Sequence, residues 1–131
     1  MRSTISMMLA CGALVLAAPA GRALAAELHT SSVDAVRLLT RSGYVENRAE
    51  FTDVGEGSSV IAAWIEVIDR NGSSREISRR SGTNSCGDRQ ICRTTIRVSV
   101  NTVPGECYVG WASTTPAGGG TTTKSSERIC R

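Results

Sequence analysis

Two cysteines, Cys86 and Cys92, lie six positions apart and enclose a short loop that contains acidic and basic residues. Thiols at such a spacing can serve a redox centre, a metal site or a disulfide. The spacing is not Cys-x-x-Cys, and no strand-to-helix pattern follows that would lower a thiol pKa. Zinc needs further ligands, and the only histidine, His29, stands where we expect a frayed N-terminus. The sequence therefore predicts a disulfide, no metal and no cofactor.

The first 25 residues have the pattern of a secretory signal peptide. Arg2 precedes an apolar run from Ile5 to Ala18, and Ala23-Leu24-Ala25 follows as a small-residue cleavage site. The run is shorter than the roughly 20 residues of a membrane span. We expect cleavage after Ala25, a single domain over residues 26–131, and no stable membrane insertion. The predicted location is secreted, or periplasmic if the source is a Gram-negative bacterium.

The four remaining cysteines predict a particular pairing. An even number in a small exported chain indicates disulfides, because the oxidising exterior lets them persist. If residues 106–114 and 121–130 form a hairpin centred on Gly118-Gly119, opposed positions have numbers that add to 237, and Cys107 faces Cys130. Directly opposed side chains lie close to bonding distance for a disulfide. The predicted pairs are therefore Cys86–Cys92 and Cys107–Cys130.

Hydrophobic patterning predicts an all-β chain. Residues 44–52 and 93–100 alternate between apolar and polar positions, as half-buried strands do. The apolar run 60–68 predicts a central strand covered on both faces, and Asp69–Gly72 predicts a hairpin turn into an edge strand. Residues 31–40 fit a short helix or an edge strand, with the strand favoured. About seven short strands with regular turn signals predict an immunoglobulin-like two-sheet sandwich.

Charge is unevenly distributed along the chain. Loss of Arg2 and Arg22 with the signal peptide lowers the 15 basic residues to 13, against 12 acidic ones, so no nucleic-acid partner is predicted. Residues 27–69 hold eight acids and three arginines, whereas residues 70–97 hold seven arginines and two acids. This polarity fits complementary solvated faces on neighbouring strands, which we favour, or a patch that binds a polyanion.

Motifs for catalysis are lacking. A Ser/His/Asp set would have to use His29, and the chain has no P-loop, H-E-x-x-H or G-x-S-x-G motif. Asp53 and Glu56, in the predicted loop "DVGEG", could contribute to a calcium site but lack the other ligands of such a site. The sequence predicts a protein that is not an enzyme.

The predicted function is a monomeric binding module for an extracellular protein or a surface glycoconjugate. Arginine and aromatic side chains are enriched at interfaces, and Tyr108 and Trp111 occupy opposite faces of one predicted strand. The first alternative is a serine-protease inhibitor that presents Arg89 from the disulfide loop, and the second is a small secreted toxin or antimicrobial. The candidate contact surface comprises Arg79, Arg80, Arg89, Arg93, Arg97, Tyr108 and Trp111.

Overall fold

A computed structural model describes residues 29–87 and 90–131, which form seven antiparallel strands in two sheets. The predicted immunoglobulin-like sandwich is confirmed. The predicted signal peptide lies outside the described residues. The described part of the chain holds no helix with the length and hydropathy that a membrane crossing requires. The strands are β1 (Thr30–Arg41), β2 (Tyr44–Val54), β3 (Gly57–Ile68), β4 (Ser74–Cys86), β5 (Ile91–Asn101), β6 (Cys107–Pro116) and β7 (Thr122–Cys130).

The strand order places β2 and β3 inside their sheets. One sheet has the order β1-β2-β5 and the other the order β4-β3-β6-β7. Alternate residues of each strand point between the sheets, because successive side chains of a strand face opposite sides. The core that results is aliphatic around two aromatic rings, Phe51 and Tyr108, both fully buried. Its other members include Val33, Val45, Ile61, Ile65, Val67, Ile96 and Val98.

The structure settles the conformation of residues 31–40 and of the turn predicted at Asp69–Gly72. Residues 31–40 belong to β1, an edge strand, so the strand interpretation is confirmed and the helix is not formed. The predicted turn after β3 is present: Gly72 has φ +85 and donates its N–H to the Asp69 carbonyl at 3.0 Å. The strand that follows, β4, is an edge strand as expected.

The prediction that β3 is covered on both faces is wrong. Its inner residues, such as Ile65 and Val67, are buried between the sheets. No part of the described chain forms a further layer over the outer face of this sheet, and Val60 there is 57% exposed. The outward apolar residues of the run include Trp64, which packs against a neighbouring side chain on the same surface rather than under a third layer.

Both predicted disulfides are formed: the one that the hairpin register predicts and the one between the two remaining cysteines. Cys107 lies opposite Cys130, with Cα atoms 4.0 Å apart, and Cys86 is bonded to Cys92. The predicted register holds at the cysteine end of the hairpin. Beyond a bulge between Val109 and Trp111 it shifts by one residue, so that Trp111 lies opposite Ser125. The pairing of cysteines was therefore independent of the irregularity farther along the hairpin.

Candidate interaction surface

Two tryptophans form the most prominent feature of the outer face of the four-stranded sheet. Trp64 of β3 and Trp111 of β6 lie directly opposite each other in the antiparallel register. Their ring centroids are 6.3 Å apart and their planes are within 7° of parallel. Both side chains are half-buried, so part of each ring is open to solvent. Large rigid rings at a solvent face supply contact area at low entropic cost.

Arg79 of β4 extends this stack. Its guanidinium carbon lies 4.0 Å from the centre of the Trp64 ring, in cation–π contact. The same guanidinium donates from Nε and Nη2 to the two carboxylate oxygens of Glu76, at 2.6 and 2.9 Å. These hydrogen bonds hold the pKa of Glu76 below its ordinary value. Arg79, Trp64 and Trp111 therefore form a continuous layer with a fixed guanidinium at one end.

A β-bulge in β4 directs Arg79 onto the indole. Ala63 pairs with Arg80 and Ile65 pairs with Ile77, so two residues of β4, Ser78 and Arg79, stand opposite Trp64. Ser78 has φ +60, a left-handed conformation that is uncommon for a residue with a side chain. Such bulges redirect a side chain and tend to occur beside functional sites.

Asn47 supports the tryptophan pair from inside the sandwich. This side chain of β2 is fully buried, and its Nδ2 donates to the backbone carbonyls of Trp64 at 2.9 Å and Trp111 at 3.0 Å. Gly110 allows the amide to approach, because a Cβ at that position would overlap it. Asn47 therefore ties β3 and β6 together at the point where the bulges interrupt pairing with β4 and β7.

A cavity of about 340 Å³ adjoins the two indoles. Glu66 lies in its wall and accepts a hydrogen bond of 2.9 Å from Nε1 of Trp111. Glu76 and Thr123 contribute further polar groups. We call this surface, formed by Trp64, Trp111, Arg79, Glu66 and Glu76, the tryptophan face. It combines aromatic area with polar groups at its margin, as protein interfaces do.

The predicted contact residues are divided among several places. Arg79 and Trp111 belong to the tryptophan face. Arg93 and Arg97 lie on β5, with side chains on the outer face of the other sheet, and Arg80 faces the side on which β5 lies. Arg89 lies outside the described residues. The four described arginines, Arg79, Arg80, Arg93 and Arg97, therefore do not form a single continuous surface.

Tyr108 is not part of any contact surface, contrary to the prediction. Its side chain is fully buried, and its hydroxyl accepts a hydrogen bond of 2.7 Å from the backbone N–H of Val103. This contact fixes the corner before β6, as a tyrosine corner does in immunoglobulin-like domains. Trp111, three residues along the strand, projects outward. It stacks on Trp64, whose ring in turn contacts the Arg79 guanidinium.

The second candidate region is a buried carboxylate. Asp53 is fully buried at the end of β2, and four side chains donate hydrogen bonds to it. Ser59 donates to Oδ2 at 2.6 Å and His29 to the same oxygen at 3.0 Å. Ser31 and Asn84 donate to Oδ1, both at 3.0 Å. We call these five residues the Asp53 cluster; its members come from β1, β2, β3, β4 and the residue before β1.

The pKa of Asp53 follows from this environment. Burial acts to raise the pKa, because it penalises the charged form. The four hydrogen bonds, of which that from Ser59 is the strongest, outweigh burial and hold the pKa of Asp53 below its ordinary value. A buried charge of this kind is stable only when its oxygens are fully hydrogen-bonded.

Two expectations about this region are wrong. His29 is not frayed: its side chain is 10% exposed, and a Cβ on Gly57 would lie 2.7 Å from its ring. Asp53 lies in β2 rather than in the predicted loop, and its oxygens accept hydrogen bonds from protein donors. Within residues 29–87 and 90–131, no group of three or more His, Cys, Asp or Glu side chains is placed to hold a metal ion.

The order of contacts in the Asp53 cluster differs from that of a hydrolase triad. Ser31 and Ser59 donate to the carboxylate, and neither hydroxyl is hydrogen-bonded to His29 among the described contacts. A triad requires the histidine between the hydroxyl and the acid, so that it can accept the hydroxyl proton. The cluster instead joins strands of both sheets through one charge.

Sequence reasoning did not identify Trp64 or Asn47 as site residues, and it placed Asp53 in a loop instead of in the core. Asn47 and Asp53 share the inward parity of Val45 and Phe51, and a polar residue at an inward position of a strand is a detectable signal. The pairing of Trp64 with Trp111 depends on which strands are neighbours. No local pattern carries that information.

Comparisons with known proteins concern the fold. No protein-family model and no curated protein sequence matches the chain. Its structure is similar to that of CsgH from R. palustris, with 16% identity, 77% of this chain and 92% of that chain covered, and a TM-score of 0.47. The curli protein CsgC from E. coli gives 8% identity, coverages of 74% and 96%, and a TM-score of 0.43. The β-glucosidase DesR from Streptomyces venezuelae gives 9% identity, coverages of 74% and 15%, and a TM-score of 0.44. These likenesses assign no function.

Proposed function

We propose that this protein is an exported, disulfide-stabilised binding module that holds an extracellular protein partner on the tryptophan face. The observation that carries the proposal is the Arg79–Trp64–Trp111 stack on a sheet face that no other part of the described chain covers. Trp and Arg are the residue types most enriched among those that dominate binding energy.

Preorganisation of the stack supports binding. Arg79 is held by Glu76, Trp111 by Glu66, and the backbone of both tryptophans by Asn47. Side chains that are already fixed lose less conformational freedom when a partner binds, so more of the contact energy appears as affinity. The two bulges, the buried amide of Asn47 and the closely packed Gly110 all lie beside the tryptophan pair.

A binding role rather than a reaction is proposed because Arg79, Glu76 and Glu66, the charged residues of the tryptophan face, are already hydrogen-bonded within it. The Cys86–Cys92 loop is compatible with a purely structural disulfide and with a displayed inhibitory loop. Its base is fixed by a hydrogen bond of 3.0 Å from Gly55 N–H to the Gln90 carbonyl, which suits a staple or a displayed loop. The protease-inhibitor alternative, with Arg89, stays a prediction, as does the toxin.

Affinity capture with matched variants tests the proposal. Folded, oxidised protein is used as bait for material from the cell exterior, beside the variants Trp111→Ala and Val60→Ala. Val60 is the control because it is an exposed apolar residue on the same outer face of β3. We expect one protein to be retained by wild type and Val60→Ala and lost with Trp111→Ala, since truncating a central interface aromatic costs about 2 kcal/mol or more.

The identity of the partner class is decided in the same experiment. Protease treatment of the material before capture should abolish retention if the partner is a protein. Retention that survives protease would indicate a glycoconjugate and contradict the proposed partner class. Equal retention by Trp111→Ala and wild type would contradict the tryptophan face as the site, provided that circular dichroism shows both to be folded.

A further inference from the structure

A second, polar cleft lies where the edge strands of the two sheets meet. It has a volume of about 260 Å³, and Ser78, Arg79 and Arg80 of β4 line it opposite Arg97, Val98 and Ser99 of β5. The Ser78 hydroxyl donates to the Ser99 carbonyl at 2.8 Å and so links the two strands at this point. We call it the arginine cleft. It is separate from the tryptophan face, although Arg79 borders both.

The cleft has an excess of positive charge. No acidic residue lines it. Arg79 is neutralised by Glu76. Arg80 and Arg97, by contrast, have no ion pair or side-chain hydrogen bond to any residue within 29–87 or 90–131. Two guanidinium groups from different sheets therefore stand at one cleft without a counter-charge in the described chain.

The neighbouring strands reinforce this charge. Arg97 lies directly opposite Arg48 of β2, which in turn lies directly opposite Arg37 of β1. Like charges directly opposed on a sheet are unfavourable. Two acids on this face are already engaged: Glu50 is near Arg37, and Glu46 is near Arg48 and Arg41. Arg97 stands at the end of the row, beside the cleft.

The backbone at the cleft is also unusual. The left-handed Ser78 begins the bulge that sends Arg79 outward over Trp64 and leaves Arg80 facing the opposite side of β4. A non-glycine residue in this conformation costs energy, and such residues cluster at ligand sites. Arg79 and Arg80 then face opposite sides, as successive residues of a strand do.

We propose that the arginine cleft binds a phosphate or sulfate group between Arg80 and Arg97. A guanidinium presents several N–H donors in a planar fork that fits the oxygens of a tetrahedral oxyanion, and two forks together can satisfy several oxygens at once. The cleft, at about 260 Å³, is large enough to admit such a group. The group is either a free ion or an ester carried by a larger molecule.

Titration of the folded, oxidised protein with inorganic phosphate at constant ionic strength tests the proposal. The arginine Nε–H resonances are followed by NMR, and saturable shifts are expected for Arg80 and Arg97. Arg97→Gln and Arg80→Gln should each weaken binding about tenfold, because a hydrogen bond to a charged group is lost. Arg97→Lys keeps the charge without the fork and should weaken binding by less.

Arg93→Gln is the matched control. Arg93 is an exposed arginine of β5 on the same outward face as Arg97, but it does not line the cleft. Its loss should leave phosphate affinity unchanged. Equal weakening by all three Gln variants would show a nonspecific charge effect and overturn the proposal, as would the absence of saturation. A parallel titration with a sugar phosphate monoester identifies the source: tighter binding of the ester indicates a carried group, and weaker binding a free ion.

Discussion

The Asp53 cluster and the arginine cleft treat charge in opposite ways. Asp53 is a single buried charge with four donors of known geometry, drawn from several strands. Arg80 and Arg97 are charges at a solvent-accessible cleft for which the described chain provides no partner. A charge that is hydrogen-bonded within the protein stabilises the fold, because its removal leaves buried donors without an acceptor. A charge left unsatisfied costs the fold little and is free to meet a ligand.

Removal of the buried carboxylate should have the largest effect on stability. Asp53→Ala leaves the buried donors of the cluster without an acceptor, and we expect the free energy of unfolding to fall by about 3–5 kcal/mol. Urea denaturation followed by circular dichroism measures the loss. Glu50→Gln, a change to a partly exposed carboxylate on the same strand, should alter stability by no more than about 0.5 kcal/mol. Similar losses of unfolding free energy in both variants would show that the buried Asp53 is no more important to stability than an exposed carboxylate.

The pH dependence of stability should identify the same group. The pKa of Asp53 is lowered in the folded protein, so its contribution is complete above the unfolded value of about 3.9 and is lost as the pH falls through the folded value. Urea denaturation between about pH 6 and pH 2 should show stability declining below about pH 4. The decline should be shallower in Asp53→Asn, which has no proton to bind there. An equally steep decline in the variant would assign it to other carboxylates.

Neutralising the cleft arginines should have the smallest effect. Arg80→Gln and Arg97→Gln are expected to change the free energy of unfolding by less than about 0.5 kcal/mol, because neither side chain has a described partner to lose. Thermal unfolding at neutral pH compares them with Arg79→Gln. That variant loses both the Glu76 ion pair and the contact with Trp64, so we expect a cost of about 0.5–1 kcal/mol. A larger loss for Arg80→Gln than for Arg79→Gln would show that the cleft is structural.

The ion pairs between strands also show which charges are satisfied within the protein and which are not. The acid-rich and arginine-rich segments were expected to form complementary faces. In the described residues, the arginines of β1 and β2 pair with Glu46 and Glu50 of β2, while Arg75 and Arg79 pair with Glu106 and Glu76. No ion pair there joins an acid of residues 27–69 to an arginine of residues 70–97, which is why positive charge remains beside β5.

Local patterns in the sequence determined the class of fold. Period-two alternation identified the strands, turn residues such as Asn71-Gly72 identified a hairpin, and the spacing of Cys107 and Cys130 fixed their pairing. Each of these depends on neighbours along the chain or across one hairpin, where the geometry is set by few variables.

Only the tertiary structure decided which residues form the sites. Trp64 stacks on Trp111 because β3 lies beside β6. Arg80 and Arg97 line one cleft because β4 and β5 are edge strands of different sheets that lie close together. His29 reaches Asp53 because β1 pairs with the full length of β2. Bulges at Ser78 and after Val109 shift the registers that regular alternation assumes. Long-range pairing and irregular backbone leave no local periodicity, so they are absent from the patterns that a sequence presents.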